Sequence, residues 1–99
     1  MIKDLGSGVT REVLSCQDDL MFVRVSFETG SSGKTHSHHH AQNTYVLSGE
    51  FAFTVDGEER RVREGDTLAF LPNQPHGCAC IHKGALLDAF SPAREDFLR

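Results

Sequence analysis

The stretch GSSGKTHSHHHAQNTYVLSG, residues 30–49, decides the fold. It carries His36, His38, His40 and Gln42 at a spacing of two, so an extended chain from Thr35 to Thr44 projects all four from one face. Imidazole nitrogens and an amide oxygen suit a borderline divalent ion such as Zn, Ni, Fe or Mn. Three or four such ligands with one open position make a catalytic site. One strand cannot surround an ion, so a further ligand has to come from elsewhere in the chain. His76 is the natural candidate. It follows the two-proline turn of PNQPHG, residues 72–77, and opens a strand that puts Cys78 and Cys80 on its own side. The alternative for the His cluster is a solvated polar loop. Against that, Val46 and Leu47 follow Gln42 directly, and both ligand segments adjoin strand patterns.

Strand signals extend outward in both directions. Met21, Val23, Val25 and Phe27 alternate with Phe22, Arg24, Ser26 and Glu28, an inner and a more polar outer face, before GSSGK breaks the run. Two runs, 44–47 and 51–55, flank Ser48, Gly49 and Glu50, and the second meets Asp56-Gly57, a strong hairpin signal. Further strands are expected at 60–63, 67–71, 76–81 and 85–90, with turns at 63–66, 72–75 and 83–84. No amphipathic helix is evident. The tail SPAREDFLR starts with a proline that ends the last strand, and Phe97 and Leu98 are expected to tuck against the barrel. Regularly spaced short strands mean an all-β sandwich or barrel.

The 99 residues suit one domain, 1–99. With 38% hydrophobic and 24% charged residues the chain reads as an ordinary globular one. A formal charge of −4, with basic residues clustered only at Arg60, Arg61 and Arg63, lacks the footprint of a nucleic-acid binder. No apolar run approaches a membrane span and no signal peptide is evident, so a cytoplasmic protein is expected. Three cysteines, two of them at 78 and 80, do not form a disulfide framework and read as small buried hydrophobes.

Residues 30–49 resemble the first motif of the cupin superfamily, of the small single-domain Cupin_2 type. The pattern is Gly, five residues, His-x-His, three residues, an acid, six residues, Gly, and every spacing is met. GDTLAFLPNQPHG, residues 65–77, is similar to the second motif, with Leu71, Asn73 and Cys80 standing where Pro, Gly and Asn are usual. The resemblance implies the cupin double-stranded β-helix, a jelly-roll barrel, with one divalent metal on His36, His38, Gln42 and His76. His40 is left as a substitute ligand or a pocket residue, and His39 and His82 are given no role.

Gln42 stands where the motif has an acid. Four neutral ligands leave a bound ion its full 2+ charge, which draws anions. One extra charge about 4 Å from a carboxylate is worth roughly 4 kcal/mol at an effective dielectric near 20. The same neutrality disfavours a 3+ state, so Lewis-acid chemistry is favoured over oxygen activation.

Leu86, Asp88 and Phe90 share one face of the last strand, opposite Ala85, Leu87 and Ala89. A carboxylate among apolar residues is either paired structurally or used as an acid/base. LLDAFSPAREDFL, with GVTR near the start and HSHHHAQ in the middle, is similar to the KdgF-like cupins of pectin and alginate breakdown. Their usual HSHPHEQ has Pro and Glu where His39 and Ala41 stand here. That resemblance implies a catalytic set of Asp88, Phe90 and Arg94. The implied reaction opens the ring of 4,5-unsaturated uronate monomers to give linear ketouronates. Arg94 pairs the carboxylate, Asp88 moves protons and Phe90 packs on the sugar. The plain alternatives are an ion pair of Arg94 with Glu95 or Asp96, and a core role for Phe90. The partner implied is a small anionic sugar acid, with no nucleic acid and no membrane, and cupins commonly form homodimers. Rival readings are a non-catalytic sugar-acid binding cupin and a metal-dependent oxygenase.

Overall fold

A computed structural model describes residues 2–98; the expected domain 1–99 includes two terminal residues outside that range. Eight strands follow in order: β1 Ile2–Gly6, β2 Val9–Gln17, β3 Leu20–Phe27, β4 Ser32–His36, β5 Ala41–Val55, β6 Glu58–Arg63, β7 Thr67–Phe70 and β8 His76–Ser91. A short 3-10 turn, Glu95–Leu98, closes the described chain. No helix is long and apolar enough to cross a membrane among these residues.

The two longest strands organise everything else. β5 and β8 pair antiparallel from Ala41↔Ser91 to Val55↔His76, and each passes from one sheet into the other. The first part of β5 pairs β7 and the second part β6. The first part of β8 pairs β4 and the second part β3, which carries β2 and then β1. The result is an all-β jelly roll, as the resemblance implied. Val9, Phe27, Val46, Leu68, Phe70 and Leu86 from one sheet meet Phe51, Phe53, Val55, Val62 and Cys80 from the other in a single buried cluster.

Several expected boundaries are corrected. Ser48-Gly49-Glu50 and Lys83-Gly84 are not turns between strands, because β5 and β8 run straight through them with shifts in register. The two backbones press together there. A Cβ on Gly49 would lie 2.5 Å from the His82 carbonyl oxygen, and one on Gly84 would lie 2.0 Å from that of Ser48. Glycine in a strand thus marks a close crossing as readily as a turn. Residues 35–44 are likewise not one strand: β4 ends at His36, residues 37–40 cross between the sheets, and β5 begins at Ala41. β1 and β2 were not anticipated, and Leu98 is exposed rather than tucked in.

Other expectations hold. Asp56 and Gly57 both take positive φ, 51° and 82°, in the two-residue loop that joins Val55 to its partner Glu58. Met21, Val23 and Phe27 are buried while Phe22 and Arg24 are exposed.

Candidate metal centre

His36 ends β4, His76 begins β8, and the two are register partners. His38 lies on the crossing segment, where its carbonyl oxygen accepts from the Asn73 amide at 2.6 Å. One ring nitrogen from each of these three histidines falls within 4.8 Å of the others. The convergence survives the break in the strand because the pairing of β4 with β8, not alternation along one strand, brings His36 to His76.

The orientation of each ring is fixed from behind. Nδ1 of His36, His38 and His76 lies 2.9, 3.0 and 2.9 Å from the carbonyl oxygens of Lys34, His40 and Gln74. A carbonyl oxygen only accepts, so each Nδ1 carries the proton and each Nε2 presents a lone pair. The His76 ring also stacks on Phe70, 4.3 Å between centroids at 13°. Its Nε2 is buried without any hydrogen-bond partner among the described residues. Burial lowers the pKa of both His38 and His76, which keeps them neutral and ready to bind a metal.

Gln42 opens β5 beside them, buried. Its Nε2 donates to Thr44 Oγ1 at 3.0 Å and to Asp88 Oδ1 at 3.3 Å, which turns Oε1 toward His38 Nε2 at 2.9 Å. Two lone pairs face one another across that contact. An orphaned imidazole nitrogen and two opposed acceptors are what a divalent cation would reconcile, so the donor set fits a metal. His40 stays outside the group. It is buried, with its ring 3.9 Å from that of His39, and its Nδ1 finds no partner among the described residues. His82 is exposed on β8.

The site opens on a cavity of about 290 Å³ between the sheets, lined by His36, Gln42, His76, Asp88, Phe90 and Arg94 among others. Asp88 is buried and makes no ion pair among the described residues; it accepts from Thr44 Oγ1 at 2.6 Å and from Gln42. Burial pushes its pKa up to about 6, against the opposing pull of those two donors. Phe90 belongs both to a small core cluster with Met21, Val23 and Ala93 and to the cavity wall. Arg94 is nearly buried and donates from Nε and Nη2 to both oxygens of Asp96, at 3.1 and 3.0 Å.

The sequence reading gave no site role to Thr44, to Arg11, which entered only as the end of GVTR, or to Phe97, expected only to tuck against the barrel. Thr44 shares the inward face of β5 with Gln42 and Val46, and alternation extended by two residues would have found it. Arg11 and Phe97 line the cavity, and their guanidinium carbon and ring centroid lie 3.8 Å apart.

The chain matches the cupin domain family over residues 23–88. It is 40% identical over 98 residues to the pectin degradation protein KdgF of Dickeya dadantii, covering 97% of this chain and 89% of that protein. Among solved structures it resembles an RmlC-like cupin from Shewanella frigidimarina, with a TM-score of 0.94 and 42% identity over 98% of this chain and 87% of that one. KdgF from a Halomonas species superposes with a TM-score of 0.93 and 33% identity, covering 98% of this chain and 92% of that one.

Proposed function

The chain belongs to the cupin family and, within it, to the KdgF-like proteins, and from that premise we propose that it opens 4,5-unsaturated uronate monomers to linear ketouronates. The observation that carries this reading is the convergence of three imidazole Nε2 lone pairs and the Gln42 amide oxygen beside a cavity that also holds a buried carboxylate.

His36, His38, His76 and Gln42 would hold the ion, one of Zn, Ni, Fe or Mn. When bound it supplies Lewis acidity and, with four neutral ligands, an undiminished 2+ charge that draws a carboxylate substrate.

The chemistry asked of the protein is proton management. A proton leaves the hydroxyl on C1 as the bond from C1 to the ring oxygen breaks, and the electron pair of that bond goes to the ring oxygen. The enolate formed at C5 becomes a ketone when that proton is returned at C4. Atoms balance, so one residue able to take and return a proton is enough. Asp88 suits that task, with a pKa raised to about 6, near the working range. Thr44 and Gln42 hold its Oδ1, which fixes the carboxylate from one side. Phe90 offers an apolar wall to the sugar, and Arg94 keeps donor positions for the carboxylate beyond those given to Asp96.

The same reading has the protein acting in the cytoplasm as a homodimer, supported by Leu20, Phe22 and Tyr45, which stay exposed on the outer surface. Light scattering tests that state.

Incubating metal-loaded protein with unsaturated uronate monomer tests the reaction. Opening the ring destroys the alkene conjugated to the carboxylate, so ultraviolet absorbance should decay. Binding without decay would leave a sugar-acid binding protein instead.

A further inference from the structure

Arg11 is a cation on the inner face of its strand. On β2 it shares that face with Val9 and Val13, and its register partner on β3 is Val25, so the pattern asks for an apolar side chain. It reaches the same cavity as His36, His76 and Asp88. Its guanidinium stacks on the ring of Phe97, 3.8 Å from the centroid. Among the described residues it makes no ion pair and no side-chain hydrogen bond.

Arg94 stacks on Phe97 as well, 4.2 Å from the same centroid. Both guanidinium groups therefore gather at the one ring. Stacking uses the face of a guanidinium and leaves its N–H edges free to bind in the plane. Arg94 spends one edge on Asp96. That pair cancels its own charge, so of the two arginines at Phe97 only Arg11 keeps an unpaired positive charge among the described residues. Asp96 acts on Arg11 only from beyond ion-pair distance. A single carboxylate complements such an arrangement, held against the edge of Phe97, where the ring quadrupole is positive.

We propose that Arg11 binds the carboxylate of the substrate, completing with Arg94 a two-arginine clamp gathered at Phe97. This rests on the reading that the cavity takes an unsaturated uronate, and it adds that acid recognition is built from β2 as well as from the closing segment. Phe97 holds Arg11 in place before the ligand arrives, which reduces the ordering cost of binding.

The test compares metal-loaded wild type with Arg11→Gln and Arg11→Lys, using unsaturated uronate and its methyl ester as substrates. Calorimetric titration with saturated glucuronate and its methyl ester supplies a readout that needs no turnover. Arg11→Gln should weaken binding of the acids by on the order of ten- to a hundredfold, the worth of a hydrogen bond to a charged group, while the esters change little. Arg11→Lys should recover part of the loss. An equal fall for acid and ester would mean a structural role for Arg11, and an unchanged preference for the acid would mean no contact; either overturns the proposal. Absence of ultraviolet decay in the wild type would sink the ring-opening reading alone, because the glucuronate arm still reports on Arg11.

Discussion

Thr44 and Asp88 are joined by a buried hydrogen bond of 2.6 Å, the hydroxyl donating to Oδ1 across the β5 and β8 register pair they form. The bond favours the charged form of the carboxylate and opposes the burial that raises its pKa. Removing the hydroxyl while keeping the shape, in Thr44→Val, should raise that pKa further. The acid limb of the rate profile should then move to higher pH, by about one unit or more for a hydrogen bond to a charged group. An unmoved limb would mean that Asp88 is not the titrating group.

The same raised pKa has a consequence for stability. A folded-state pKa near 6 against an unfolded value of 3.8 means that the fold binds the proton more tightly than the open chain does. The stabilisation is therefore complete below about pH 4 and is lost as pH rises through 6. At pH 7 the ionised Asp88 costs the metal-free protein roughly 3 kcal/mol. Asp88→Asn should make the metal-free protein more stable than wild type at pH 7.5, by up to about that amount, with no gain near pH 4. It should also abolish ultraviolet decay while metal content is kept. Urea unfolding at the two pH values and elemental analysis measure these outcomes.

Cys78 lines the cavity, and burial pushes its thiol up to about 12, whereas Cys16 is exposed on β2 and Cys80 is buried. The thiolate is the reactive form. Iodoacetamide at pH 8 should add one group, at Cys16, and label the other two only after denaturation. Intact mass and peptide mapping read the result. Rapid labelling of Cys78 in the native protein would mean that the cavity opens far more than its geometry indicates.

How legible the candidate site was depends on where each residue gets its neighbours. His36, His38 and Gln42 were singled out by their spacing, and His76 by its proline turn, although the strand assumed to carry the first three is broken at 37–40. Asp88 stood out because a carboxylate interrupts an apolar face. Thr44 and Arg11 carry no such mark, since a threonine or an arginine in a strand is ordinary until the partner strand is known. The long strands β5 and β8 were hidden for a related reason. Gly49 and Gly84 read as turns in one dimension, while their actual cause is each other's backbone.

That cause makes Gly84 a sensitive position. Its φ is not in the left-handed region, so its backbone would accept a side chain, but a Cβ would fall 2.0 Å from the carbonyl oxygen of Ser48 and 2.6 Å from the Cα of Gly49. Neither neighbour is a flexible side-chain end, so relief requires separating β5 from β8. Gly84→Ala should cost several kcal/mol, on the scale of severe overpacking, or prevent folding. Gly33→Ala, whose Cβ would meet Cys78 Sγ at 3.5 Å, should be tolerated by comparison. Thermal melts of the two variants decide the matter.

Metal retention should follow the protonation of its histidines. Imidazole binds only when neutral, and burial lowers the pKa of both His38 and His76 below the usual 6.5 or so. Lowering a histidine pKa extends the neutral form into acid, so retention should persist below the pH at which an ordinary exposed imidazole protonates and weaken on further acidification. His76→Ala removes the buried Nε2 that has no other partner, and His36→Ala removes its register partner; each should strip the metal at pH 7. His82→Ala, an exposed residue on the same strand as His76, should not. Elemental analysis of untagged protein dialysed across a pH series measures all four. Retention that does not weaken at all on acidification would contradict histidine ligation, because a protonated imidazole has no lone pair left to hold the ion.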